Sequence, residues 1–161
     1  MKPLSPAGVV TDRGMRPADD ALLRIAEPTR PPRVLLVEDD PDVRRVLGVA
    51  LRRAGMVVLE AETAAEARGI FDATAADLIV TDVALPGDMD GFAFGAWLRI
   101  CFGNVPVIYI TGLVGWEWPM LPRQDRITML VRKPFGARVI VEAVNTMLGR
   151  AHSCCGEHPG C

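Results

Sequence analysis

The sequence predicts an α/β fold, a doubly wound five-stranded parallel sheet with helices on both faces. Three observations carry that expectation. Short uninterrupted apolar runs recur from Arg33 onward, stretches with helical apolar spacing separate them, and the helix starts carry readable caps. Runs that are continuously apolar rather than alternating suit strands covered on both faces.

The strand candidates are, in order, VLLV (34–37), MVVLE (56–60), LIV (78–80), VPVIYI (105–110) and ITMLV (127–131). After the first, Asp40 before Pro41 reads as an N-cap followed by proline at the first helical position. Val43, Val46, Leu47, Ala50, Leu51 and Ala54 then fall on one stripe, and Gly55 supplies a stop. Thr63 and Glu66 have capping-box spacing and open a second helix. Asp90 is placed to cap a third, in which Phe94, Trp97, Leu98 and Cys101 recur at helical spacing. A fourth helix is expected within residues 113–126, but Gly115, Pro119 and Pro122 make it irregular. The last helix is expected over residues 135–148. Right-handed crossovers place such helices on both faces, and sites in such sheets form at the carboxyl ends of the strands.

Composition narrows the function classes. The chain has 161 residues, enough for one domain with a sizeable core, and half of them are hydrophobic. A formal net charge of −2 offers no basic field for nucleic acid. No apolar run approaches the ~18 residues of a membrane span, and the opening residues lack a secretory core, so a cytoplasmic location is expected. Cys101 stands alone while Cys154, Cys155 and Cys161 crowd the last residues, which is no disulfide framework. Residues 1–32 hold six of the thirteen prolines and are expected to form a flexible extension, with the folded domain over 33–150. Residues 151–161 are expected to form a flexible tail. Its His152, Cys154, Cys155, His158 and Cys161 are zinc-type donors, although adjacent cysteines suit neither one tetrahedral site nor an unstrained disulfide.

The strand ends carry the chemistry. The first strand is followed by Glu38, Asp39 and Asp40, the third by Thr81 and Asp82, the fourth by Thr111 and Gly112, the fifth by Arg132, Lys133 and Pro134. Carboxylates converging in one crevice raise each other's pKa unless a cation joins them. Hard oxygen donors of this kind suit Mg²⁺, which takes few protein carboxylates and keeps waters. A lysine and a hydroxyl opposite can hold an anion. Cation, anion and carboxylate together describe phosphoryl transfer to an aspartate. Each residue alone has an ordinary explanation, and Asp40 is expected to be a helix cap only. Agreement at four separate strand ends favours the functional reading.

These segments resemble the receiver domain of two-component response regulators, of the single-domain CheY-like kind, from about Arg33 to Gly149. VLLVEDDPDVRRVL is similar to that family's first strand and acidic cluster, DLIVTDVALPGDMDGF to its phosphoacceptor segment, VPVIYITG to its threonine strand, and VRKPF to its lysine-proline turn. The resemblance implies a flavodoxin-like sheet of strand order 2-1-3-4-5 and a phosphoacceptor at Asp82. It implies Mg²⁺ held directly by Asp39, Asp82 and the Ala84 backbone carbonyl, with Glu38 acting through water. It also implies that Thr111 and Lys133 contact the phosphoryl oxygens, and that the Lys133–Pro134 bond is cis. A histidine kinase or histidine phosphotransfer protein would be the donor, and a downstream protein the target. The module would be a switch rather than a dedicated enzyme, with no DNA-binding domain and no membrane segment.

The chain departs from the family pattern in places. The loop LPGDMDG is one residue longer than the commonest form, and Leu130 stands where an aromatic switch residue is frequent. Trp116 and Trp118 lie between helix breakers, where they would either cover a gap in the core or form a partner-binding patch. Two other functions remain open at this level. One is a receiver-like adaptor that binds partners regardless of phosphorylation. The other is a phosphate-ester hydrolase, against which stands the absence of a second acid at Ala84.

Overall fold

The structure, a computed structural model, describes residues 30–112 and 127–149. The expected proline-rich extension, the Cys/His tail and the irregular segment with Trp116 and Trp118 therefore lie wholly or almost wholly outside the described residues. Five strands, β1 (Arg33–Val37), β2 (Val57–Ala61), β3 (Leu78–Asp82), β4 (Val107–Thr111) and β5 (Thr128–Arg132), form one parallel sheet in the order β2-β1-β3-β4-β5. Among the described residues there are four helices: α1 (Pro41–Arg53), α2 (Ala64–Thr74), α3 (Gly91–Phe102) and α4 (Ala137–Met147). None is long and apolar enough to cross a membrane.

The uninterrupted apolar runs have a direct structural counterpart. Successive side chains of a strand point to opposite faces, so Leu35, Val37 and Ile79 pack with Phe71 of α2 and with Phe94 and Leu98 of α3. Val34, Leu36, Val80 and Ile108 face the other way, onto Leu47 and Leu51 of α1 and Ile140 and Val144 of α4. Every residue of β3 and β4 is buried, whereas the edge strands β2 and β5 are only partly covered.

The caps form as the sequence implies. Asp40 accepts from the backbone N–H groups of Asp42 and Val43, and Asp90 from that of Ala93. The Thr63 side chain accepts from Glu66 N, but Glu66 reaches back to the N–H of Glu62 rather than to that of Thr63. Two helix stripes differ from expectation. Val46 is exposed on the flank of α1, because Leu47, Gly48 and Leu51 make the buried line. Cys101 is exposed near the end of α3, where Gly91, Phe94, Gly95 and Leu98 face the sheet. Gly136 rather than residue 135 begins the transition into α4.

Glycine lets α3 approach the sheet closely. A Cβ on Gly91 would lie 2.0 Å from the Asp82 carbonyl oxygen, and one on Gly95 would lie 1.8 Å from the Tyr109 hydroxyl. The start of α3 is thereby seated on the end of β3, where Gly91 N–H donates to Val83 O at 3.0 Å.

Candidate functional site

Parallel register brings the strand ends flush. Val37 pairs with Thr81, Asp82 with Ile110, and Thr111 with Arg132. Glu38, Asp82, Thr111 and Lys133 therefore meet at one edge although 95 positions separate the first from the last. Glu38 leaves β1 with its N–H still donating to Ala61 O at 3.1 Å, and Lys133 N–H donates to Thr111 O at 2.7 Å. These bonds extend the ladders by one residue beyond the strands and fix the backbone beneath the side chains.

One carboxylate oxygen each from Glu38, Asp39 and Asp82 lies within 4.8 Å of the others, with Glu38 and Asp82 buried and Asp39 exposed. Lys133 Nζ donates to Asp82 Oδ2 and to both Glu38 oxygens, at 3.3 and 3.4 Å. The second Asp82 oxygen, Oδ1, accepts from Ala84 N–H at 2.9 Å, so the loop after β3 folds its backbone against this carboxylate. Thr111 is buried at the end of β4. The Lys133–Pro134 bond is cis, as expected. Leu130 is half-buried on β5 beside Tyr109 of β4 and packs into the core under α2 and α3.

Electrostatics follow from burial and proximity. The Glu38 carboxyl is pushed up to about 7, first by its burial and then by the negative charge of Asp82, against the pull of Lys133. Burial works against the Lys133 ammonium, yet its hydrogen bond to Asp82 and the charges of Asp82 and Glu38 hold its pKa above the usual lysine value. Lys133 alone faces three clustered carboxyl groups, and a divalent cation would relieve the repulsion among them. The donors are all hard oxygens, so the residues fit Mg²⁺, with Asp39 and Asp82 as the carboxylates that would hold it directly, Glu38 as the one that would act through water, and the Ala84 backbone beside them.

The structure thus brings Glu38, Asp39, Asp82, Ala84, Thr111 and Lys133 together and confines Asp40 to capping. A residue that sequence reasoning passed over also reaches this edge. Arg44 of α1 donates to the backbone carbonyls of Glu38 and Asp39. The available signal was a basic residue in the first turns of a helix, the end that disfavours cations. Beside Lys133 a cleft of about 450 Å³ opens, walled mainly by apolar side chains including Val43, Val46, Leu47 and Phe135.

Comparison with known proteins agrees with this arrangement. A family model described as the response regulator receiver domain matches residues 34–145. The response regulator receiver protein CpdR of Brucella abortus is 30% identical over 116 residues, covering 72% of this chain and 96% of that protein. The C4-dicarboxylate transport transcriptional regulatory protein DctD of Rhizobium meliloti is 30% identical over 112 residues, which are 70% of this chain and 24% of DctD. The chain spans about a quarter of the length of DctD and of the similarly matched Escherichia coli protein GlrR. Among solved structures, a putative response regulator from Chloroflexus aurantiacus superposes with a TM-score of 0.66 at 27% identity, covering 74% of this chain and 99% of that one. The chemotaxis response regulator CheY4 of Vibrio cholerae does so with a TM-score of 0.65 at 24% identity over 73% of this chain and 98% of its own, a likeness of fold.

Proposed function

The chain belongs to the response regulator receiver domain family, and we propose that it accepts a phosphoryl group on Asp82 in a Mg²⁺-dependent step of a two-component phosphorelay. The observation that carries this reading is the setting of the Asp82 carboxylate. One oxygen is fixed by Ala84 N–H, the other is paired with Lys133, and two further acids stand alongside.

The donor would be a phosphorylated histidine of a kinase or phosphotransfer protein. An Asp82 oxygen attacks the phosphorus, the phosphorus–nitrogen bond breaks, and the imidazole leaves with the bonding pair and takes up a proton. The product is an acyl phosphate on Asp82. Bound Mg²⁺ supplies charge neutralisation that lets an anionic carboxylate approach an anionic phosphoryl group. Lys133 is already at the acceptor and needs only to exchange a carboxylate oxygen for a phosphoryl oxygen. The Thr111 hydroxyl, held by the same ladder as Lys133, is the second donor to the phosphoryl group. The apolar cleft beside Lys133 is the surface that a protein donor would meet as its histidine reaches Asp82.

In this reading the domain is a cytoplasmic switch that signals to a downstream protein, rather than a dedicated enzyme. The test is incubation of the full chain with acetyl phosphate. One phosphoryl group should be added when Mg²⁺ is present and none in EDTA, and Asp82→Asn should take none. Equal labelling of Asp82→Asn, or labelling at full rate in EDTA, overturns the reading.

A further inference from the structure

Arg44 sits in the first turns of α1, four residues after the Asp40 cap. The helix dipole disfavours a cation there, so the position calls for a compensating contact. The side chain has several and is only 12% exposed. Nη1 donates to the carbonyl oxygen of Glu38 at 2.5 Å and lies 3.3 Å from that of Asp39, while Nη2 donates to Glu62 at 2.7 Å. Nε is 4.0 Å from Glu60. The guanidinium therefore faces the backbone of the acidic loop with one nitrogen, and Glu60 of β2 and Glu62 just after it with the rest.

The two carbonyls belong to the successive peptide planes on either side of Asp39. Holding both fixes the dihedrals that aim the exposed Asp39 carboxylate. Glu62 accepts from Nη2, with Glu60 at 4.0 Å from Nε, so carboxylates outside the Glu38, Asp39 and Asp82 cluster meet the guanidinium charge. We propose that Arg44 is a positioning residue for the Mg²⁺ site: it clamps the Glu38 and Asp39 carbonyls so that the Asp39 carboxylate is presented in the geometry that Mg²⁺ demands. This rests on the reading of the acidic cluster as the cation site.

Coulomb's law alone says that deleting a nearby positive charge strengthens cation binding. Loss of a clamp says the opposite, by about 10-fold or more for groups that orient metal ligands. Mg²⁺ requires near-ideal octahedral geometry whereas Ca²⁺ tolerates irregular coordination, so a loosened Asp39 should penalise Mg²⁺ more than Ca²⁺.

Calorimetric titration of the full chain with Mg²⁺ and, separately, Ca²⁺ tests this, with circular dichroism to check the fold of each variant. Arg44→Met should weaken Mg²⁺ binding about tenfold and lower the ratio of Mg²⁺ to Ca²⁺ affinity. Arg44→Lys keeps the charge but loses the planar fork, so it should fall with Arg44→Met. Glu62→Gln keeps the carbonyl contacts and an amide oxygen that can still accept from Nη2, so its Mg²⁺ affinity should fall less than that of Arg44→Met. Arg44 variants that bind Mg²⁺ as well as or better than the wild type, or an unchanged affinity ratio, overturn the clamp while leaving the cation site intact. A wild-type chain that binds neither ion overturns the cation site and the clamp together.

Discussion

Replacing Lys133 by Met removes the ammonium and keeps most of the apolar stem, so it isolates charge from packing. Glu38 is 1% exposed and Asp82 nearly as buried, and both depend on this lysine for a counterion. Removing one partner of a fully buried pair costs about 3–5 kcal/mol. Lys133 is 32% exposed, so solvent screening reduces that, and about 2 kcal/mol is expected at pH 8 without metal. For a domain of this size that corresponds to a fall of about 8 °C in Tm. The loss should shrink at pH 5.5. Glu38 titrates at about 7 in the folded protein against 4.5 ordinarily, so the native state binds that proton more tightly than the unfolded chain. Its contribution therefore favours folding below 4.5 and is lost as pH rises through about 7. Once Glu38 is protonated, the variant has one fewer buried charge without a partner. Mg²⁺ should bind the variant more tightly than the wild type, because the ammonium no longer competes for Asp82 and Glu38. Thermal unfolding in EDTA at both pH values, with Mg²⁺ titration at pH 8, measures all three. A loss of equal size at pH 5.5 and 8, or a weaker Mg²⁺ affinity in the variant, would refute the lysine's place as the internal counterion.

Three further outcomes follow from the same geometry. Asp82→Asn should abolish phosphorylation yet raise the Tm in EDTA at pH 8, since it removes one of the repelling carboxylates; an unchanged or lowered Tm would count against that repulsion. In the wild type, saturating Mg²⁺ should raise the Tm more at pH 8 than at pH 5.5, because Glu38 must release a proton to join the cation; an equal rise would exclude Glu38 from the site. Gly95→Ala should cost about 1–3 kcal/mol through collision with the Tyr109 hydroxyl, and Tyr109→Phe should recover part of it, as read from denaturant unfolding. Strictly additive effects in that double variant would show that the two residues do not meet.

The elements that local chemistry specifies could be read directly from the sequence. The strands are visible because burial on both faces leaves no polar positions in VLLV or VPVIYI, and the helix starts because Asp40, Thr63 and Asp90 each bond an N–H within three residues. The acid, hydroxyl and lysine at the strand ends were legible because topology alone forces strand ends together. Other features depend on partners distant in sequence. Val46 and Cys101 satisfy a helical period, but the buried lines run through Leu47, Gly48 and Leu51 and through Gly91, Phe94, Gly95 and Leu98, and apolar periodicity scores glycine poorly. The pairing of Lys133 with Glu38 as well as Asp82, and the reach of Arg44 to two backbone carbonyls, depend on side-chain geometry that spacing does not encode.

The site places like charges where folding would not otherwise choose to put them. The ladders reach Glu38 at the end of β1 and run one residue past Asp82, so the backbone cannot easily yield to relieve the repulsion. Lys133 makes this arrangement tolerable without a metal, and it lies close enough to Asp82 to serve again if Asp82 takes the phosphoryl group as proposed. A phosphoryl group brings about −1.5 to −2 charges near neutral pH, which one ammonium and one divalent cation can offset better than the ammonium alone. On this account the metal-free state is held by a counterion that the proposed phosphorylated state would then claim. The step most sensitive to loss of Lys133 should therefore be the structural response after phosphorylation, more than the arrival of Mg²⁺. Beryllofluoride with Mg²⁺ should shift the amide spectrum of the wild type near Thr111 and leave that of Lys133→Met largely unmoved. A full wild-type shift in the variant would assign the response to groups other than the lysine.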